Sequence, residues 1–236
     1  MCGRFVIASK TDELQTTFPG FVFPDEMPLR YNITPGQDIP VLTNSGTNTV
    51  EHFKWGLIPS WAKDPKIGNR LINARSETLA EKPSFRNAFK KRRCIIPATG
   101  FYEWRPNPNS KTKTPMFIRL KSEYPLGFAG LWETWRPETG EVLNTCTIIT
   151  TAPNALMEQI HHRMPVILKP DSYAQWLSPA DQPGEGLSIL LTPYPDSEMV
   201  AYPVSTLVNN PGNDSPQCLE PEPVEDAPPP DQATLF

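Results

Sequence analysis

The segment Cys-Ile-Ile-Pro-Ala-Thr-Gly-Phe-Tyr-Glu-Trp, residues 94–104, decides the fold because a turn-forming Pro and Gly separate two short apolar runs. The runs Cys94–Ile96 and Phe101–Trp104 are rich in β-branched and aromatic residues, which predicts two short strands. Successive side chains of a strand alternate between its two faces, so Phe101 and Glu103 are expected on the same face.

Runs of the same kind recur along most of the chain. Further strands are predicted at Met116–Leu120, Gly127–Trp132, Thr145–Thr150, Val166–Leu168, Leu187–Leu191 and Met199–Val204. Short helices are predicted at Thr11–Phe18, Ser76–Ala80, Ser84–Lys91 with Ser84 as its cap, Pro153–Ile160 with Pro153 as its first residue, and Asp171–Leu177. Strands outnumber helices and do not alternate with them. The sequence therefore predicts a single α+β domain with a curled, mostly antiparallel, barrel-like sheet and peripheral short helices.

Composition excludes several classes of protein. Proline occupies 29 of the 236 positions, more than twice the usual share of about 5%, which excludes a coiled coil. No apolar run approaches the roughly 18 residues of a membrane span. Because no apolar leader follows Met1, we expect an intracellular protein without a membrane anchor. The four cysteines lack metal-ligand spacing, so we expect a reduced protein that needs neither metal nor cofactor, with Cys94 and Cys146 buried.

Charge is unevenly distributed along the chain. Residues 214–236 contain six of the 26 acidic residues and neither Lys nor Arg, which leaves 22 basic and 20 acidic residues in the remainder. Prolines are interleaved with these acids, and such a composition buries too little apolar surface to fold. We therefore predict a folded domain over 2–213 and a disordered tail over 214–236.

Cys2 is the most unusual candidate for chemistry, because aminopeptidases generally remove Met before a small residue. Cys2 would then carry a free α-amine and a thiol on adjacent carbons. An α-amine has a pKa of about 8, against about 10 for Lys, so part of it is neutral and nucleophilic at neutral pH. It can form a Schiff base with an aldehyde, after which the thiol can close a thiazolidine ring. The alternative is an inert second residue.

Three other positions carry groups suited to acid–base chemistry or anion binding. Glu103 lies among aromatic residues and is either a proton-transfer acid with a raised pKa or a salt-bridged carboxylate. His161 follows a predicted helix and is either a general acid–base or a structural partner of the helix C-terminus. Arg75, beside Asn73, has the planar fork that suits a phosphate.

Two surface features suggest contact with nucleic acid. The basic run within residues 82–93 is either a surface for a phosphate backbone or a solvated helix face. Trp55 is expected in the core, whereas Trp61, which lies near basic residues, is expected to be exposed and to stack on unpaired bases.

Several motifs occur together in one order. They are Met1–Phe5, Tyr31–Pro35, Trp55–Trp61, Ile72–Glu77, Pro97–Trp104, Thr147–Thr151, Ile160–Pro165, Tyr202–Ser205 and Val208–Asn210. As a set they resemble the SRAP family of abasic-site processing proteins. The resemblance implies binding of single-stranded DNA that carries an abasic site. It also implies that Cys2 captures the aldehyde of the ring-opened sugar as a thiazolidine crosslink, which shields the lesion.

The resemblance also implies roles for individual residues. Asn73 and Glu103 would line the sugar pocket, with Glu103 moving protons, and His161 would assist opening of the sugar ring. The predicted DNA contacts are Arg4 and Arg75 on phosphates, Pro35 and Trp61 on neighbouring bases, and Thr150 at the same site. The family is also associated with lyase chemistry at abasic sites and with autoproteolysis. Two alternatives therefore stay open: a non-covalent single-strand binding module, and a thiol autopeptidase that uses Cys2 and His161.

The last five residues form a separate motif, Gln-Ala-Thr-Leu-Phe. They resemble peptides that bind the replication sliding clamp, in which Leu235 and Phe236 would fill an apolar pocket and Gln232 would make the polar contact. The expected partners are thus abasic single-stranded DNA and the clamp, and the protein itself is expected to be a monomer.

Overall fold

The computed structural model describes residues 2–108, 110–179 and 184–222. The strands are β1 Phe5–Ile7, β2 Arg30–Ile33, β3 Asp38–Thr43, β4 Glu51–Trp55, β5 Asn73–Arg75, β6 Arg93–Ala98, β7 Gly100–Pro106, β8 Lys113–Leu120, β9 Leu126–Trp135, β10 Leu143–Thr151, β11 Met164–Pro165, β12 Ile167–Leu168 and β13 Met199–Pro203. The helices are α1 Thr11–Thr17, α2 Arg86–Lys91, α3 Ala155–Glu158, α4 Tyr173–Trp176 and α5 Gly184–Ser188. This mixture of many strands and short helices confirms the predicted α+β class.

Five strands close into a barrel. Hydrogen bonds join β10 to β4, β4 to β3, β3 to β6, β6 to β9 and β9 back to β10, and only the β10–β4 pair is parallel. Strands β5 and β11 pair with β10, and β12 pairs with β9. A second, antiparallel sheet has the order β13-β8-β7-β1-β2. The predicted barrel-like core is therefore present.

Aromatic side chains join the two sheets. The ring centroid of Phe5 lies 5.2 Å from that of Trp55 and 5.9 Å from that of Phe128. Phe101 also contacts Phe128, at 6.0 Å. The next residue, Tyr102, belongs instead to a smaller apolar cluster on the other face of β7. The predicted alternation of β7 is thus confirmed, and it directs Glu103 to the same face as Phe101.

The predicted bounds of three short elements differ from the structure. Ser84 does not cap α2, which begins at Arg86. Helix α3 begins at Ala155, and its cap is Asn154, whose side chain accepts a hydrogen bond from the Met157 amide at 2.9 Å. The segment predicted as a strand at 187–191 lies in α5 and the turn after it. Short apolar runs with mixed patterns fit either a strand or a buried helical turn, which explains this last error.

Arg93 does not belong to a solvated basic face. Its side chain is fully buried. Its guanidinium donates to the carbonyl oxygens of Phe89 at 3.0 Å, Trp176 at 2.7 Å and Ser178. A guanidinium presents five donors in a fixed fork. Arg93 therefore satisfies backbone carbonyls of α2 and of the end of α4 at the same time.

The predicted boundary between residues 213 and 214 also differs from the structure, which packs residues 214–222 against the body. The Asp214 carboxylate forms an ion pair with Arg30 at 2.6 Å and accepts hydrogen bonds from the backbone amides of Tyr31 and Asn32. Cys218 is fully buried. Specific polar contacts thus order a segment whose composition alone predicts disorder. Gln232, Leu235 and Phe236 lie outside the described residues.

Asn32→Ala is expected to destabilise the fold by about 3 kcal/mol, because buried polar groups would lose their partners. Asn32 is fully buried. Its amide donates to the carbonyl oxygens of Val208, Asn210 and Asn213 and accepts from Arg4. Urea unfolding measures the effect, with the exposed Asn69→Ala as control. Equal free energies of unfolding for the two variants would contradict this role.

Candidate active site

The backbone register places Cys2 beside β7. Phe5 pairs with Phe101, and the amide of Tyr102 donates to the carbonyl of Arg4 at 3.0 Å. Continuing this antiparallel register brings the residues before β1 alongside Glu103. The side chain of Cys2 is fully buried. The antiparallel pairing of β1 with β7 therefore brings the Cys2 thiol close to the Glu103 carboxylate, although about a hundred residues separate them in the sequence.

Burial raises the pKa of the Cys2 thiol well above its ordinary value, and the nearby Glu103 carboxylate raises this pKa further. The thiol is therefore protonated at neutral pH. A nucleophilic reaction at this residue needs a neighbouring group that takes the thiol proton.

Glu103 has the properties of such a group. It is only 4% exposed, and burial raises its pKa from the ordinary 4.5 to about 7. A carboxyl group with this pKa is present in both protonation states near neutral pH, so it can either accept or donate a proton. Of the two alternatives for Glu103, this raised pKa is the property expected of a proton-transfer acid.

Glu103→Gln is expected to stabilise the folded protein at alkaline pH. Because the folded-state pKa is about 7 and the ordinary value is 4.5, wild-type stability falls as pH rises between these values and stays lower above pH 7. At about 1.4 kcal/mol per pKa unit, the loss reaches about 3 kcal/mol. Gln does not ionise, so the free energy of unfolding at pH 8 should be higher for the variant than for wild type. At pH 4 this pH-linked advantage should be absent. Urea unfolding at both pH values tests this, and an equal difference at the two would contradict it.

His161 lies half-buried just before β11. Burial lowers its pKa to about 4, so the ring is neutral at physiological pH. Its Nδ1 lies 3.1 Å from the amide nitrogen and 3.2 Å from the carbonyl oxygen of Arg163. Arg163 can therefore satisfy Nδ1 in either tautomer, and the tautomer decides whether Nε2 is a proton acceptor or a proton donor. The ring of His162 stacks on that of His161 at 4.3 Å between centroids.

Lys113 was missed by the sequence analysis. After burial, the first cause in each case, its ammonium group lowers the pKa of both Glu103 and His161. The charge of Lys113 therefore acts on both groups. Lys113 begins β8, where it pairs with Pro106 of β7. No sequence motif around Lys113 indicates this position, which depends on the β7–β8 pairing.

The remaining predicted residues of the sugar and phosphate site lie along β10. Asn73 of β5 pairs with Ile148, and Arg75 pairs with Thr150. The Asn73 amide group donates to the Ile72 carbonyl at 3.1 Å, whereas its Oδ1 is buried and has no hydrogen-bond partner among the residues that the structure describes. Asn73 therefore retains an acceptor for a ligand. Arg75 is exposed, as a phosphate contact requires.

Arg163 connects this strand cluster to His161 and is a second residue that the sequence analysis missed. Its guanidinium forms a two-pronged ion pair with Glu77, at 2.6 and 3.0 Å, and donates to the Thr150 carbonyl at 2.6 Å. The hydrogen bonds that Arg163 donates to the Glu77 carboxylate lower the pKa of Glu77. Glu77 lies in the motif Ile72–Glu77 and Arg163 in the motif Ile160–Pro165. Their opposite charges were the only signal in the sequence that these two residues could pair.

Two predicted DNA contacts, Trp61 and Pro35, lie apart from the buried cluster. Trp61 is 57% exposed and borders a cavity of about 470 Å³ that Lys63, Lys66 and Arg70 also line. Its loop begins at Gly56, whose φ of +137° favours glycine and where a Cβ would lie 2.7 Å from the Gly68 carbonyl oxygen. Pro35 is half-buried in a turn before β3. The described hydrogen bonds and ion pairs do not connect Trp61 or Pro35 with Cys2.

Arg4 has a structural role that the sequence did not predict. Its guanidinium donates to Asn32 at 2.9 Å and lies over the ring of Trp104, 5.5 Å from the centroid. It also donates to the carbonyls of Val208 and Asn209. Arg4 thus fixes the start of the chain against the segment after β13.

Residues 1–211 match the sequence model of one family, described as SOS response associated peptidase (SRAP). The chain belongs to the SRAP family. It is 50% identical over 223 residues to the abasic site processing protein YoqW of Bacillus subtilis, a match that covers 93% of this chain and 99% of YoqW. It is 33% identical to the abasic site processing protein HMCES of Xenopus tropicalis, covering 80% of this chain and 65% of HMCES. The resemblance inferred from the motifs is confirmed.

Solved structures share the SRAP fold seen here. A crystal structure of a protein from Bacteroides thetaiotaomicron matches with a TM-score of 0.83 and 29% identity, over 94% of this chain and all of that one. One from Bordetella bronchiseptica matches with a TM-score of 0.73 and 28% identity, over 86% of this chain and all of that one.

The described residues contain neither a membrane-spanning helix nor a cluster of metal ligands. Within residues 2–108, 110–179 and 184–222, no helix is long and apolar enough to cross a bilayer. In the same part of the chain, no three His, Cys, Asp or Glu side chains converge on a possible metal site.

Proposed function

We propose that this SRAP protein recognises abasic sites in single-stranded DNA and captures them covalently through Cys2. The names of its relatives support abasic-site processing. The observation that carries the covalent step is the burial of Cys2 beside Glu103, a carboxyl group with a pKa of about 7. This pairing supplies a proton-transfer group exactly where an N-terminal amine and thiol would have to react.

The proposed reaction joins Cys2 to the aldehyde carbon of the ring-opened sugar. Once Met1 is removed, the α-amine attacks this carbon and forms a C–N bond, and the carbinolamine then loses one water to give a Schiff base. The thiol sulfur adds to the same carbon and forms a C–S bond, while its proton passes to the nitrogen. The product is a thiazolidine that differs from protein plus DNA by one water.

Glu103 and His161 would move the protons in this sequence. Glu103 in its carboxylate form takes a proton from the amine or thiol, and in its acid form it donates one to the departing hydroxyl. His161, which is neutral at physiological pH, would assist opening of the sugar ring through Nε2. Asn73 Oδ1 would accept a hydrogen bond from the sugar hydroxyl.

The DNA on either side of the lesion would contact the outer residues of the site. Exposed Arg75 and half-exposed Arg4 would hold flanking phosphates. Thr150 would contact the same site, and Trp61 and Pro35 would contact the neighbouring bases. Since all of the proposed site residues belong to one chain, we propose that the protein acts as a monomer. We also propose that it acts inside the cell.

Denaturing electrophoresis with abasic single-stranded DNA tests the covalent function. The proposal predicts a slow-migrating band that survives heating, whereas a binding module would give none. Two further activities associated with the family are tested separately. Lyase activity would cleave the abasic strand, and autopeptidase activity would remove an N-terminal extension in a manner that depends on Cys2.

We also propose that Gln232, Leu235 and Phe236 bind the replication sliding clamp. Leu235→Ala/Phe236→Ala should reduce capture of the cognate clamp by tenfold or more, because each apolar anchor in such a pocket contributes roughly 1 kcal/mol or more. A pull-down measures this, with Ala233→Ser/Thr234→Ser as the matched control between the anchors. Equal capture by the two double variants would contradict the proposal.

A further inference from the structure

Three basic side chains form a stripe that the proposed chemistry does not use. Lys82, Arg86 and Lys90, here called the basic stripe, are all exposed. They lie four residues apart, so on a helical path they share one face. Two hydrogen bonds of α-helical spacing precede α2, since the Lys82 amide donates to the Thr78 carbonyl at 3.0 Å and the Arg86 amide donates to the Lys82 carbonyl at 2.9 Å. Lys82 itself lies in the turn before α2, whereas Arg86 and Lys90 lie on the helix.

Packing fixes the direction of the basic stripe. Leu79, Phe85, Ala88 and Phe89 are at most 4% exposed and anchor the opposite face in the core. Arg92 is held in an ion pair with Glu133 at 2.7 Å. None of the ion pairs found in the described part of the chain includes a stripe residue. The three charges of the stripe therefore face solvent and are available to an anion.

The basic stripe begins where the candidate site ends. Thr78 closes the 3-10 turn that directly follows Arg75, the predicted phosphate contact. At about 1.5 Å of rise per residue, Arg86 and Lys90 are separated by about 6 Å along α2.

We propose that the basic stripe binds the sugar–phosphate backbone of the DNA strand that leaves the abasic site. The spacing, exposure and positive charge of the basic stripe suit the repeating phosphates of a nucleic-acid backbone. They do not select a particular base. The stripe would thus add sequence-independent affinity. The identification of the strand as the abasic one rests on the proposed function, whereas the stripe's affinity for a single strand does not.

The test compares Lys82→Gln/Arg86→Gln/Lys90→Gln with a control of equal charge change, Lys111→Gln/Lys121→Gln/Lys169→Gln, which alters exposed lysines elsewhere. The probe is an oligonucleotide of roughly 25 nucleotides with a tetrahydrofuran abasic analogue, which binds without crosslinking. Because each phosphate contact on a single strand contributes about 0.7 to the slope of log K against log salt, the stripe variant should lose about 2 from this slope. Between 50 and 200 mM salt, its affinity should therefore fall about 20-fold less than that of wild type.

Two further measurements separate the possible outcomes. Arg86→Gln alone should lose about 0.7 from the slope, and the stripe variant should still crosslink a short abasic strand at the wild-type rate. A slope equal to that of the control variant would overturn the basic stripe while leaving covalent capture intact. If wild type forms no crosslink but its salt-dependence slope still differs from that of the stripe variant, the proposed function would be overturned and the basic stripe would not.

Discussion

Cys2→Ala protein is expected to form no heat-stable adduct with abasic single-stranded DNA, under conditions in which wild type converts most of the DNA. The thiol supplies the C–S bond that closes the ring, and without it the chemistry stops at a Schiff base that water reverses. Treatment with borohydride should still trap this Schiff base in Cys2→Ala, because the α-amine remains. Denaturing electrophoresis with and without borohydride measures both results.

The matched control is Cys218→Ala, which removes another buried thiol, in the smaller apolar cluster on the opposite face of β7 from Glu103. It should crosslink as wild type does. A heat-stable band of undiminished intensity from Cys2→Ala would contradict the role of the thiol, and the absence of a borohydride-dependent band would contradict the role of the amine.

Glu103→Gln is expected to slow crosslinking by about 100-fold or more, the usual contribution of a positioned proton-transfer group. The wild-type rate should rise as pH increases through about 7, where the Glu103 carboxyl ionises, and the variant should lack this inflection. Rates from single-turnover time courses between pH 5.5 and pH 9 would measure it. Affinity for the tetrahydrofuran analogue should change little, since Gln keeps the shape of Glu.

Glu133→Gln provides the control, because Glu133 is also a buried carboxylate but pairs with Arg92 on the barrel. It should leave the rate and the pH profile unchanged. His161→Ala should slow capture of closed-ring sugar more than capture of a simple aldehyde, which would distinguish ring opening from proton transfer at Cys2. A Glu103→Gln rate within a factor of about three of wild type would contradict the assignment.

The strand pattern of the fold was predictable because it is local. The alternation through Phe101 and Tyr102 places one side chain in the main core and the other in the smaller cluster, as β-strand geometry requires. Closure of the barrel was less accessible, since the β9–β10 and β10–β4 pairings join segments through long-range contacts. The short run at 187–191 fits two structures, and tertiary packing selects the helical one.

Composition was misleading at two places where specific contacts outweigh it. Arg93 follows three other basic residues, yet its guanidinium donates to backbone carbonyls and is buried in the core. The segment 214–222 is rich in Pro and acid, yet Asp214 and Cys218 hold it against β2 and the smaller cluster. Individual hydrogen bonds of this kind have no signature in composition.

The candidate site shows the same division between local and long-range information. The reactive character of Cys2, Glu103 and His161 was inferred from residue chemistry and from the family resemblance, and the raised pKa of Glu103 follows from its burial among aromatic residues. Lys113 and Arg163 gain their places only through strand pairing and an ion pair with Glu77. Side chains whose role is to tune or position others are therefore the ones that a single sequence conceals.

The intact mass of the protein, measured before and after incubation with an abasic oligonucleotide, tests the central claim most directly. The account predicts a starting mass that lacks Met1, followed by a single adduct equal to protein plus oligonucleotide minus one water. It further predicts that peptide mapping locates this adduct at Cys2. An adduct on an internal Lys, or full crosslinking by protein that retains Met1, would contradict the account.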